Sequence, residues 1–291
     1  MSIEKYCFDG SRRCELEALP TGCNEKGLGR RDKAEYIHRT GANLARIAFL
    51  QEQLYAQGRE SVILVLQAMD AAGKDSTVKR VMSTVNPQGI DVVSFKQPTD
   101  TELAHDYLWR AVQALPTRGK MAIFNRSYYE DVLVVQVHGL HKGYRMARRC
   151  LEDEKFFERR YRQIRDFERY LYENSYRVVK IFLNLSKETQ KKRFLERIDD
   201  PAKNWKFSAS DLEERRYWDD YRRVYGEVIN ATATRTSPWY VLPADQKWYT
   251  RWLVSRVVLS ALEACTPEYP AMPKEEAARL ARCREELLAE E

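Results

Sequence analysis

Ser61-Val-Ile-Leu-Val-Leu-Gln67 runs directly into Ala68-Met-Asp-Ala-Ala-Gly73-Lys74-Asp75-Ser76-Thr77, and from there into a segment of helical composition. A short apolar, β-branched run without polar alternation marks a strand covered on both faces, as in a parallel sheet. A turn of small residues ending in Gly-Lys, set between such a strand and a helix, is the layout of a phosphate-binding loop. Small side chains let backbone N–H groups wrap phosphate oxygens. The helix N-terminus adds partial positive charge, and Lys74 reaches the outer phosphates. The loop departs twice from the GxxxxGK[ST] pattern: Ala68 stands for the first Gly, and Asp75 for the Ser/Thr that usually binds Mg²⁺. Gly-Lys also occurs in ordinary strand-to-helix turns; the buried-type strand before it and Asp70 within it argue against that reading. Asp70 would be repelled by phosphates unless a cation lay between them. Mg²⁺ held by one or two carboxylates plus phosphate oxygens is the natural ion, with Mn²⁺ as the alternative.

The rest of the chain repeats the alternation of strand and helix. Leu44, Ile47, Leu50 and Leu54 recur at helical spacing between Asp32 and Gln57, and Gly58 ends the pattern. Lys74 to Val85 reads as a helix, Asp91 to Lys96 as a strand and Thr101 to Leu115 as a helix. Lys120 to Asn125 reads as a strand, and Ser127 to Val137 as a helix of ambiguous, Val-rich composition. A charged helix over Glu152 to Glu173 precedes a strand from Tyr176 to Leu185. Helices over Lys187 to Ile198 and Asp211 to Ile229, a strand from Trp239 to Leu242 and a helix from Gln246 to Ala264 complete the series. Such alternation predicts an α/β fold, a parallel sheet with helices on both faces. The mixed segment before residue 31 reads as an extended arm, and Lys274 to Glu291 as a peripheral charged helix.

In a doubly wound sheet the carboxyl ends of neighbouring strands form the ligand crevice. Asn125-Arg126-Ser127 closes an apolar strand and so points into the same crevice as Asp70. A P-loop enzyme usually has Asp for Mg²⁺ where this chain has Asn125, and Glu130, about one helical turn beyond Arg126, can supply the carboxylate. Arg126 alone reads equally well as an ordinary strand-end residue. Between Lys187 and Lys206 lie seven Lys/Arg against four acids, with Asp199-Asp200-Pro201 breaking the helix. This is the position of a mobile lid in nucleotide kinases of this type, although a solvated helical face is the plainer reading of any charge run. The ten Lys/Arg and six acids from Lys142 to Arg169 read as such a face.

A net charge of +6 fits a polyanionic partner as well as a solvated surface. No apolar run approaches a membrane span, and no apolar h-region stands in Met1 to Arg13, so neither a membrane partner nor secretion is expected. The six cysteines are scattered without a CxxC pair and the four histidines lack metal spacing; reduced cytosolic thiols and a cytoplasmic location follow.

The chain resembles the family-2 polyphosphate kinases over roughly residues 30–265. The carriers are Ala68 to Asp75, Val85-Asn-Pro-Gln-Gly89, Phe124-Asn-Arg-Ser127, Trp205-Lys-Phe207, Asp211-Leu-Glu-Glu-Arg215, Trp218-Asp-Asp-Tyr221 and Pro238 to Asp245. The resemblance implies a P-loop kinase-like three-layer sandwich with a helical lid. It divides the chain into an arm (1–30), a phosphotransferase domain (31–265, lid about 187–215) and a helical tail (266–291). It further implies transfer of the terminal phosphate of inorganic polyphosphate to a nucleotide. Asp70, Lys74, Arg126 and Arg193 match catalytic positions, and Asp70 with Glu130 would hold the metal. Ala71, Ala72, Gly73, Asp75, Ser76, Arg110, Asn125 and Arg197 would bind phosphate or nucleotide. Asn125 followed by Glu130 resembles the branch accepting both AMP and ADP. Ser76 stands where the family has Gly, and assembly as a homo-oligomer is a family trait. The competing readings are an ATP-dependent nucleoside monophosphate kinase and a non-catalytic protein that binds a polyanion or nucleic acid; nucleic acid is not the expected partner.

Overall fold

The structure is a computed structural model that describes residues 3–23 and 27–290. The arm's residues 1, 2 and 24–26 and the tail's residue 291 therefore lie outside the described residues. Six strands form one sheet: β1 (Cys7–Phe8), β2 (Ser61–Ala68), β3 (Ile90–Ser94), β4 (Met121–Asn125), β5 (Tyr176–Asn184) and β6 (Trp239–Pro243), in the order β1-β6-β5-β2-β4-β3. All pairs are parallel except β1 with β6, where Cys7 faces Tyr240 and Phe8 faces Trp239. Every residue of β2 is buried, as the unbroken apolar run predicts. Among the described residues no helix is long and apolar enough to cross a membrane.

Helices cover both faces. On one side Leu64 and Leu66 pack with Ile47, Leu50 and Leu54 of α1 (Lys33–Gln57), which ends at left-handed Gly58. On the other, Ile63 and Val65 share a core with residues of a second helical layer. The chain leaves β2 for the edge strand β3, returns to β4 beside β2, and only then crosses to β5 on β2's other side. The strand order thus reverses at β2, and its carboxyl end is the switch point where α/β sheets bind ligands.

The helices between depart from the expected lengths for local reasons. α2 (Lys74–Val81) stops short of Val85, and Thr84 Oγ1 instead bonds the Leu44 carbonyl at 3.1 Å. The expected helix over 101–115 is two pieces, α3 (Asp100–Leu103) and α4 (Trp109–Gln113), because Asp106 bonds the Leu108 N–H at 2.9 Å. Residues 127–137 split into a 3₁₀ turn, Tyr128–Asp131, and α5 (Val134–His138). A short α6 (Arg148–Leu151) precedes α7 (Phe156–Glu173), then come α8 (Lys187–Ile198), α9 (Ala209–Arg216) and α10 (Trp218–Thr232), the last two breaking the expected 211–229 helix at Tyr217. α11 (Lys247–Ala264) packs along α1, and α12 (Lys274–Leu288) buries no side chain. Residues 3–23, read from sequence as an extended arm, add β1 to the sheet and place Phe8, Cys14 and Leu16 in the core. Gly89 of the Val85–Gly89 motif has a steric reason: a Cβ there would lie 1.8 Å from Gln51 Nε2 on α1.

One polar network lies inside the second core. Lys180 on β5 and Glu168 on α7 are both buried and meet at 2.6 Å. Glu168 Oε1 also accepts the Tyr128 and Tyr129 hydroxyls at 2.9 and 2.8 Å, and Lys180 donates to the Thr232 carbonyl at 2.8 Å. Burial pushes the Lys180 pKa down while Glu168 pulls it up. Removing one partner leaves the other as an uncompensated buried charge. We therefore expect Lys180→Met to lower stability by about 3–5 kcal/mol in urea unfolding; an unchanged midpoint would show that the pair is dispensable.

Candidate active site

At the carboxyl end of β2 the chain turns through two left-handed residues, Ala71 (φ 59°) and Gly73 (φ 94°), before α2 begins at Lys74. The first N–H groups of a helix have no intrahelical acceptor, so they are available to an anion. The loop's carbonyls are taken up from behind. Lys74 Nζ donates to Ala68 O at 3.2 Å, and Gln190 Nε2 to Asp70 O at 3.0 Å. Arg193 Nη1 bonds Ala71 O and Ala72 O, each at 2.9 Å, while its Nη2 bonds Ala244 O at 2.8 Å and Asp245 O at 3.0 Å. Arg193 is therefore buried beneath the loop and tied to the turn after β6. As its sequence position suggests, it stands on the lid helix, in the middle of α8, on that helix's buried side.

The second motif folds against the first. Arg126 is itself left-handed (φ 63°), with its N–H bonded to Leu66 O at 3.2 Å, which turns its side chain back over the end of β2. Its guanidinium lies 3.6 Å from Asp70 and 3.9 Å from Glu130. A non-glycine residue in this region is a strained feature of the kind that collects at functional sites. Burial pushes the Glu130 pKa up, against the pull of Arg126 and Lys74; burial pushes Lys74 down, against Asp70. Asn125 donates to Asp75 Oδ1 at 2.9 Å, while its own buried Oδ1 finds no partner among the described residues.

These residues open onto a cavity of about 760 Å³. Asp70 to Ser76, Asn125, Arg126, Arg193 and Arg197 all line it, so the structure brings most of the predicted site together. Arg110 is not among the lining residues; it bonds the carbonyl of Lys96, which is, and pairs with Glu102 at 3.7 Å. Glu130 lies behind Arg126 rather than on the cavity wall. Lys96, Lys203, Trp205, Lys206, Asp211 and Lys247 line the cavity without having been singled out as site residues. The strand-end rule reaches Lys96, just past β3. No sequence signal marks Lys247, which the crossover after β6 delivers.

The donors near the loop are oxygens: the Asp70 carboxylate on the cavity wall, the Glu130 carboxylate behind Arg126 and the buried, orphaned Asn125 amide oxygen. That set fits Mg²⁺ or Mn²⁺ rather than a soft metal. Among the described residues no group of three or more His, Cys, Asp or Glu is gathered to hold a metal alone. An ion here would complete its shell with phosphate and water oxygens.

A family model, polyphosphate kinase 2, matches residues 30–270. An AMP/ADP-polyphosphate phosphotransferase of Meiothermus ruber is 48% identical over 263 residues, covering 90% of this chain and 86% of its own. An ADP-polyphosphate phosphotransferase of Rhodopseudomonas palustris is 46% identical over 257 residues, 88% of this chain and 89% of its own. The crystal structure of polyphosphate kinase 2 from Arthrobacter aurescens TC1 superposes with a TM-score of 0.80 at 39% identity, over 96% of this chain and 97% of that one.

The Arg193 fork spans two loops, which a single ammonium cannot do. Arg193→Lys is expected to lose about 1–3 kcal/mol of stability by urea unfolding. A midpoint equal to wild type would mean that the loop holds its shape without the fork.

Proposed function

The chain belongs to the polyphosphate kinase 2 family, and from that premise we propose that it transfers the terminal phosphate of inorganic polyphosphate to AMP and to ADP, making ADP and ATP. The observation that carries this reading is the charge of the cavity: eight of its lining residues are Lys or Arg and four are Asp or Glu. Such an excess suits a polyanion longer than a triphosphate, because each added phosphate meets another cation. The Meiothermus ruber relative is named for both acceptors and the Rhodopseudomonas palustris relative for ADP. Asn125 with Glu130 supports the dual reading here.

In this mechanism an oxygen of the acceptor's phosphate, already ionised at neutral pH, attacks the terminal phosphorus of polyphosphate in line. The new P–O bond forms as the terminal anhydride P–O bond breaks, and the shortened polyphosphate leaves with the electron pair. No general base is required. Lys74, freed from the Ala68 carbonyl, and Arg126 offset charge on the transferred group, and the N–H groups from Gly73 to Ser76, at the start of α2, hold its oxygens, the Ala72 N–H being given to the Met69 carbonyl. Arg193 keeps the loop in shape for this, and Arg197 approaches from the lid. Asp70, on the cavity wall, would hold Mg²⁺, with Glu130 joining it only where its pairing with Arg126 opens, and the ion would supply further neutralisation of the phosphate oxygens. The reading also includes a cytoplasmic setting and a homo-oligomer.

The test is incubation of the purified protein with Mg²⁺, AMP and polyphosphate, without ATP, following products by chromatography. We expect ADP and then ATP, and a loss of at least about 100-fold in Lys74→Ala. ADP without ATP would keep the donor and remove the dual acceptor. Product only after ATP is added would replace the reading with an ATP-dependent nucleotide kinase.

A further inference from the structure

The Asp211–Arg215 motif has no part in the chemistry above, yet two of its residues reach both halves of the site. Glu214 Oε2 accepts the Tyr221 hydroxyl at 2.7 Å and lies 3.1 Å from His138 Nε2, at the end of α5, which follows the Arg126–Glu130 segment. Arg215 Nη1 donates to Lys187 O at 2.9 Å and to Gln190 Oε1 at 2.6 Å. Gln190, 2% exposed on α8, passes this on: its Nε2 is the donor to the Asp70 carbonyl at 3.0 Å. Gln190 therefore spends both ends of its amide joining α9 to the phosphate loop. The tip of the lid is tied within itself and to α9, Arg197 bonding the Lys206 carbonyl at 3.1 Å and pairing with Asp211 at 3.6 Å; Trp205 is 78% exposed, and the tip carries Arg197, Lys203 and Lys206 to the cavity.

We propose that Gln190 is a positioning residue which, held by Arg215, couples the lid to the backbone at Asp70. Engagement of the lid's cations by polyphosphate then fixes α9, Arg215 and Gln190 in turn, and holds the Asp70 carboxylate where the donor phosphates need it. This rests on the polyphosphate reading of the same cavity. A glutamine that only satisfied buried groups would affect folding and nothing else, whereas a coupling residue shifts the response of the site to polyphosphate.

Gln190→Met removes the link at nearly constant volume, Arg215→Met removes it by deleting the guanidinium, and Gln190→Glu keeps the acceptor for Arg215 while setting an oxygen against the Asp70 carbonyl. Two readouts are taken on the full chain. The first is kcat with polyphosphate and ADP, expected to fall about tenfold in each single variant, with the double variant no worse than the poorer single. The second needs no turnover: protection of residues 199–208 from protease by polyphosphate alone, expected to require about tenfold more polyphosphate in each variant. Wild type that neither turns over polyphosphate nor is protected by it sinks the functional reading and the coupling together. Wild type that does both, beside single effects that multiply in the double variant or protection at unchanged polyphosphate, overturns the coupling alone. Thermal midpoints of the variants identify loss by misfolding, and the Gln190→Glu variant, whose bond to Arg215 survives, decides the matter if the Met variants unfold.

Discussion

A phosphate loop that turns its N–H groups outward must turn its carbonyls inward, and buried carbonyls need donors. In this protein that demand is met chiefly by one guanidinium. Arg193 takes the Ala71 and Ala72 carbonyls with one nitrogen and the Ala244 and Asp245 carbonyls with the other. Its planar, rigid fork of donors suits the task, and its charge survives burial where a lysine's would be at risk. The anion site proposed for the outer surface of the loop thus depends on a cation under its inner surface. Gln190 and Lys74 serve the Asp70 and Ala68 carbonyls, the Ala72 N–H serves Met69, and the Ser76 hydroxyl serves Gly73. Neighbouring pieces of structure fall into place around this contact: the base of α8 must lie against β2, and the turn after β6 must lie against both.

The other half of the site is held by different means. The Tyr128 and Tyr129 hydroxyls are drawn down to Glu168, whose charge is met by Lys180. That pulls residues 128–131 out of a regular helix and into a 3₁₀ turn, with left-handed Arg126 at its entrance. The outcome is an arginine between two carboxylates, facing the loop across the switch point of the sheet. A buried charge pair is weak evidence for stability in general. Here its geometry accounts for where the second motif sits.

Much of this was legible in the sequence, for identifiable reasons. The central strand announces itself because burial on both faces leaves no polar alternation in Ser61 to Ala68, and the loop because its chemistry tolerates few residue types. Asp70, Lys74, Asn125 and Arg126 could be placed together because strand ends in a doubly wound sheet converge. What escaped were features set by side chains reaching across the fold. Arg193 reads as one cation in a basic run, and nothing local says that it is buried. Asp106 and Tyr217 break helices whose periodicity continues past them, and Cys7–Phe8 is too short a strand to show a period at all. Arg110 entered the site through the resemblance alone, and its own contacts, the Lys96 carbonyl and Glu102, stand at the cavity's margin.

The pairing of β1 with β6 has a consequence for how the molecule comes into being. Residues 7 and 8 leave the ribosome long before their partners, Tyr240 and Trp239. The same delay falls on Arg193, which cannot complete its bonds until Ala244 and Asp245 have been made. Contacts this distant along the chain close slowly, since the entropy of the intervening loop is lost before they form. During synthesis β5 must therefore wait with one edge unpaired until β6 is made, and the loop after β2 gains its last ties only once residues 244 and 245 have followed.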